Sequence, residues 1–132
     1  MPARLSKIFI VLFATASWSG AAFAQETKVV EKTVSVAASG AAQIGVFGRV
    51  TPQCDNGKVK VRLAKPAENG TVTARPGRLK QGVVKKCPAL TPDVAAVFYE
   101  PKAGFSGQDK ASIEVETDDG KIERHEFTIN VQ

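Results

Sequence analysis

Apolar and polar residues alternate along short runs through most of this chain, with the period of two that a pleated strand imposes. The runs are TVSVA (33–37), IGVFGRV (44–50), KVKVRLA (58–64), TVTA (71–74), VAAVFY (94–99), KASIEVE (110–116) and EFTINV (126–131). They are rich in β-branched residues, and turn chemistry punctuates them: DNG from Asp55, ENG from Glu68, RPG from Arg75 and DDG from Asp118. No window carries a helical period with caps. About seven short strands at this spacing predict an all-β chain folded as a β-sandwich rather than a βα fold. Residues 78–90 are the least patterned, leaving open a further short strand around Val83 and Val84.

The last two runs constrain their own pairing. Ala111, Ile113 and Val115 share one face of their strand, and His125, Phe127, Ile129 and Val131 share one face of theirs. Residues directly opposite in an antiparallel pair lie on the same face, so paired numbers must have an even sum. A two-residue loop at Asp119 and Gly120 gives an odd sum and sets Val115 against Arg124. A three-residue loop over 119–121 pairs Ile113 with Phe127, Ala111 with Ile129 and Val115 with His125, with Gly120 or a neighbour at positive φ.

The N-terminal segment reads differently. Arg4 and Lys7 precede the apolar run IFIVLFA (8–14), and AFA (22–24) places small residues just before Gln25, the grammar of an export leader. The apolar run is far shorter than the roughly 20 residues a spanning helix needs, and no second such run follows. The expected organisation is therefore a leader over 1–24 and one domain over 25–132, with no transmembrane segment and a periplasmic or secreted destination. Removing 24 of 132 residues leaves 108, enough for one core.

Loss of the leader lowers the formal charge from +5 to +3, and the remainder is unevenly spread. Between Arg49 and Lys86 ten Lys or Arg face only Asp55 and Glu68; from Asp93 onward nine acids face Lys102, Lys110, Lys121 and Arg124. The first half of the domain is basic and the second acidic. Lys58, Lys60 and Arg62 fall on one side of their strand and Val59, Val61 and Leu63 on the other. That basic stripe has two readings: lysines guarding an edge strand in solvent, or, with Arg75, Arg78, Lys80, Lys85 and Lys86, a surface for an anionic partner.

Cys54 and Cys87 both lie in the expected exported part, where oxidation is the rule. A catalytic or metal-bound thiol needs partners, and the chain has one histidine, His125, and no close cysteine pair. One disulfide is expected; closing a loop of about 34 residues stabilises by roughly 3–4 kcal/mol on the chain-entropy model.

The segment FYEPKAGFSGQDKASIEV, from Phe98 to Val115, is built as a corner. Phe98 and Tyr99 end a strand, and Pro101 stops the ladder by lacking a donor. Gly104 and Gly107 permit a loop whose Phe105 tucks back onto the sandwich, and Asp109 is placed to bond loop amides before the next strand. With PAENGTV (66–72) before it and FTINV at the end, this corner resembles bacterial Ig-like and cadherin-like modules, whose pattern is P-x-x-G-T-V and then Y-x-P-x-x-G-F-x-G-x-D. The whole exported part, with GRVTPQC leading to Cys54, also resembles small exported bacterial proteins of uncharacterised function. The resemblance implies an Ig-like antiparallel β-sandwich of about seven strands engaged in binding or adhesion. Such modules usually come in tandem, whereas this chain holds one copy.

Catalytic chemistry finds little purchase. His125 aligns with Phe127 and Ile129, as a packed strand histidine does, and Ser106 sits in GFSGQ without nucleophile-elbow spacing. One histidine and no methionine after Met1 argue against a copper carrier. Glu100, Asp109, Asp118 and Asp119 are the acids a cadherin-like calcium site would draw on, yet no loop has the dense acidic spacing of a calcium loop. No cofactor or metal is expected. Asn69 begins a formal sequon, NGT, but Asn-Gly is also a hairpin signal, and the turn reading is preferred. Nucleic acid is not expected, because export and the lack of interleaved aromatics both oppose it. The sequence thus favours a non-catalytic binding module for an envelope polymer or another exported protein, with an inhibitor or accessory subunit as the alternative.

Overall fold

A computed structural model describes residues 17, 19–22 and 26–132. The basic start, the apolar run and the Ala24–Gln25 junction of the expected leader lie outside the described residues. Seven strands follow one another: β1 (Lys28–Val36), β2 (Ala42–Gly48), β3 (Val59–Lys65), β4 (Gly70–Arg78), β5 (Asp93–Pro101), β6 (Gly107–Thr117) and β7 (Ile122–Val131). They form a four-stranded sheet in the order β1-β7-β6-β3 and a three-stranded sheet in the order β2-β5-β4. The fold is an all-β sandwich with one disulfide.

Alternation puts the core where the two inner faces meet. Val97 and Tyr99 of β5 stand against Ile113 of β6 and Phe127 and Ile129 of β7, all essentially inaccessible to water. Val36, Ile44, Ala111, Val115 and Val131 complete the cluster, and Phe105 packs against it from the corner. Each large apolar side chain removed from water contributes about 1.5–3 kcal/mol, so this layer is the main favourable term.

Several local expectations change. The sandwich is not wholly antiparallel: β1 runs parallel to β7, with Lys28 opposite Glu123 and Val36 opposite Val131. The chain leaves β1 for the other sheet rather than turning back, so no hairpin fixes its direction. The β6–β7 hairpin keeps the required parity but sits two residues from the expected register, pairing Ala111 with Phe127, Ile113 with His125 and Val115 with Glu123. Its loop is 118–120, closed by the Gly120 amide donating to the Thr117 carbonyl, with Gly120 at φ 84°. Parity alone cannot separate loops that differ by one step at each end; the Thr117–Lys121 closure does.

RPG is not a turn, because Arg75, Pro76 and Gly77 continue β4, a sheet edge where a missing amide leaves no ladder bond unmade. Asn69-Gly70 is not a hairpin either: β3 and β4 belong to different sheets, and this segment is the arch between them. Around Val83 and Val84 the chain makes turns rather than a strand.

Candidate functional site

The connections gather at two ends. At one end the arch before β4 meets the corner between β5 and β6. The Asp109 carboxylate, buried at 4% exposure, accepts from the amides of Glu68 (3.2 Å), Asn69 (3.0 Å) and Lys110 (2.9 Å) and from the Tyr99 hydroxyl (2.8 Å). Lys102 fastens the same arch from the corner, its amide donating to Asn69 O and its ammonium to Glu68 O, both at 2.9 Å. Asp109 therefore binds the amides of a distant arch, and it does so from within β6. Burial pushes its carboxyl up, but the Tyr99 hydroxyl and the three amides outweigh that and hold it below the usual carboxylate range. Burial, reinforced by the Asp109 charge, drives the Tyr99 phenol well above its ordinary value.

Two glycine requirements of different origin meet here. A Cβ on Gly70 would lie 2.4 Å from a Tyr99 ring carbon, so the arch lies flat on that ring. Gly104 has open space around it but φ of 80°, which disfavours side chains. The two halves of the sequence pattern, PAENGTV and the Tyr99–Asp109 corner, are thus the two sides of one lock, whose chemistry is structural.

The other end carries the loops β2–β3, β4–β5 and β6–β7. Cys54 and Cys87 join the first two, with Cα atoms 5.4 Å apart, and no cysteine is free. Asn56 bridges the same loops, donating to Thr91 O at 3.1 Å and accepting from the Asp93 amide at 3.0 Å. Arg49 pairs with Asp118 and lies 3.7 Å from Asp119 of the β6–β7 loop. The Thr117 hydroxyl, with the Lys121 amide, Arg49 and Lys121 behind it, holds the Asp119 carboxyl below its ordinary range. Asp118 and Asp119 lie at the end opposite Glu100 and Asp109, and among the described residues no group of three or more His, Cys, Asp or Glu is placed to hold a metal ion. His125 points inward, its ring edge-to-face with Phe47 at 4.6 Å between centroids and its Nε2 3.2 Å from Glu123 Oε2.

The stripe of Lys58, Lys60 and Arg62 is divided by its surroundings. Pairing of β3 with β6 sets Arg62 opposite Glu114 and Lys60 opposite Glu116. Arg62 donates to Glu114 at 2.7 Å, and Arg124 of β7 reaches the other oxygen of Glu114 at 3.3 Å. The acidic second half of the sequence therefore lies beside the basic first half, and Arg62 belongs to a three-strand charge row. Lys58 and Lys60 instead stand on the rim of an open groove of about 790 Å³ between the edge strands β3 and β4. Its floor is apolar. Val59 and Val61 come from β3, Ala74 and Pro76 from β4, and Ala95 from β5. Ala74 and Pro76 lie opposite Val97 and Ala95 in register, on the inward side of their sheet, yet both are exposed because no described residue covers the gap between the two edges.

This groove is the candidate site. No family model, curated protein or solved structure matches the chain.

The groove was not legible in the stripe alone, since half of it comes from Ala74 and Pro76, which read as the end of a strand and a turn. Leu63, at 50% exposure, extends the apolar line along β3 beyond the groove, and a register shift follows it before Lys65 pairs with Ser112. Arg75 stands on the opposite rim, its guanidinium 5.2 Å from the Phe98 ring centroid. No helix among the described residues is long and apolar enough to cross a membrane.

Proposed function

We propose that this chain is a non-catalytic, exported Ig-like binding module whose groove takes an extended segment of another exported protein. The Ig-like part of the reading is supported by strand order: β2-β5-β4 and β3-β6-β7 follow one another as the B-E-D and C-F-G strands of immunoglobulin-type sandwiches do. The observation that carries the binding part is the groove itself, an apolar floor bounded on each side by a strand whose outward backbone groups have no ladder partner. An added strand satisfies such an edge through its main chain and places alternate side chains on the floor. Asp93 and Asp118 of the same lining are paired with Arg78 and Arg49, which leaves Lys58, Lys60 and Arg75 against Glu116, so the rims favour acidic residues on the outward side of that strand.

The test is a photo-crosslinking residue at Val61, compared with one at Thr128 on β7, in cells that export the protein. The reading expects one partner captured at Val61 alone, a peptide from that partner binding the purified chain, and loss of binding in Val61→Glu with the fold retained. Equal capture at both positions, or peptide binding indifferent to Val61→Glu, rejects the groove. A captured enzyme whose activity falls on binding makes the module an inhibitor.

A further inference from the structure

The β4–β5 connection carries a second surface, apart from the groove. From Leu79 to Pro92 the sequence holds Lys80, Lys85 and Lys86 and no acid. All three lysines are exposed. Most other cations at this end are already matched: Arg49 to Asp118 and Asp119, Arg78 to Asp93 at 2.8 Å, and Lys121 to Asp119 at 3.7 Å. Asp55, beside Cys54, is the one opposing carboxylate of these loops with no ion pair among the described residues.

The loop is also held in shape. Cys87, buried at 5% exposure, ties it to Cys54, while Leu79 N donates to Pro92 O, Gln81 Nε2 to Ala89 O and Cys87 N to Val84 O. At its tip, after Gly82 at φ 81°, Val83 stands 55% exposed between the lysines. An apolar tip flanked along the chain by exposed cations matches two layers of a bilayer surface at once, anionic headgroups outside and acyl chains beneath. A soluble polyanion has a use for the lysines and none for Val83.

We propose that the disulfide-braced loop 79–92 docks this protein on an anionic lipid bilayer, with Lys80, Lys85 and Lys86 on the headgroups and Val83 inserted between them. The bracing matters because a loop fixed in advance loses little freedom on docking.

The experiment is flotation with phosphatidylcholine vesicles, with and without phosphatidylglycerol, using protein in the form cells accumulate, its N-terminus sequenced and identical across variants. Wild type should float only with phosphatidylglycerol and lose affinity as salt rises. Changing Lys80, Lys85 and Lys86 together to glutamine should weaken binding about a hundredfold, roughly fivefold per lysine. Val83→Ser, with unchanged charge, should weaken it roughly fivefold. Circular dichroism and an intact disulfide in both variants keep lost binding separate from lost folding. Binding without preference for phosphatidylglycerol, or no binding, overturns the proposal. So does Val83→Ser floating like wild type while inorganic polyphosphate competes fully, since that result describes a site for a soluble polyanion.

Discussion

The Tyr99 hydroxyl donates to the Asp109 carboxylate across 2.8 Å in the interior, where the arch from one sheet closes on the corner from the other. Because this carboxylate also receives three part-buried amides, removing it strands several donors at once. Asp109→Asn should destabilise by about 3 kcal/mol and Tyr99→Phe by about 1.5–3 kcal/mol. In a double-mutant cycle by urea denaturation the two losses should be far from additive. Additive losses would mean that the pair does not act as a unit.

The same carboxylate sets an acid limit. Its folded-state pKa is depressed, so its contribution is present above the unfolded value of about 3.9 and is lost as pH falls through the folded value. The stability gap between wild type and Asp109→Asn should therefore be constant near neutrality and close on the acid side of about pH 4. A gap that closes as pH rises would have the wrong sign for this account.

Glycine substitutions should separate the two requirements of the lock. Gly70→Ala drives a methyl into the Tyr99 ring and should cost more than about 2 kcal/mol. Gly104→Ala meets open space and bears only the backbone penalty, about 1 kcal/mol. Thermal or urea unfolding of both variants decides the order, and a larger loss at Gly104 would reverse the assignment.

Cys54 and Cys87 should be unreactive to thiol reagents under denaturing, non-reducing conditions, with an intact mass two hydrogens below the reduced value. Replacing both by alanine should cost roughly 3–4 kcal/mol. The lost order should appear as amide exchange in the loops 49–58 and 79–92, leaving the β6–β7 core protected.

Changing Lys58, Lys60 and Arg62 together to glutamine should leave the fold intact and lower stability by no more than about 1 kcal/mol, the scale of exposed ion pairs. Against the partner captured at Val61, binding should weaken and become less sensitive to salt. Within the three, Arg62→Gln alone should have little effect on binding, because Glu114 already holds Arg62 away from the groove. An equal loss from Arg62→Gln would place the partner on the charge row instead.

The period-two alternation was sufficient to locate seven strands in order, because each inward position in β5, β6 and β7 is separately required by the core. The hairpin register was not recoverable, since two loops of equal length share the same parity and only the Thr117–Lys121 closure selects between them. RPG and Asn-Gly misled for one reason: turn propensity is local, whereas an edge position and a sheet crossing are properties of the assembled sandwich. The groove stayed hidden on the same ground, because Val61 and Pro76 meet only when β3 and β4 are placed on different sheets. The basic stripe was visible, and its neutralisation at Arg62 was not, since Glu114 lies 52 residues away.

The parallel seam between β1 and β7 gives the molecule an order of events. Lys28 and Glu123 are 95 residues apart, and among the described residues β7 is the only strand against which β1 is laddered. A chain synthesised from its N-terminus presents β1 long before β7, so that strand waits unzipped while the five between them are made. The four-stranded sheet is therefore the last part of the sandwich to close, and it closes only when the final segment has been made.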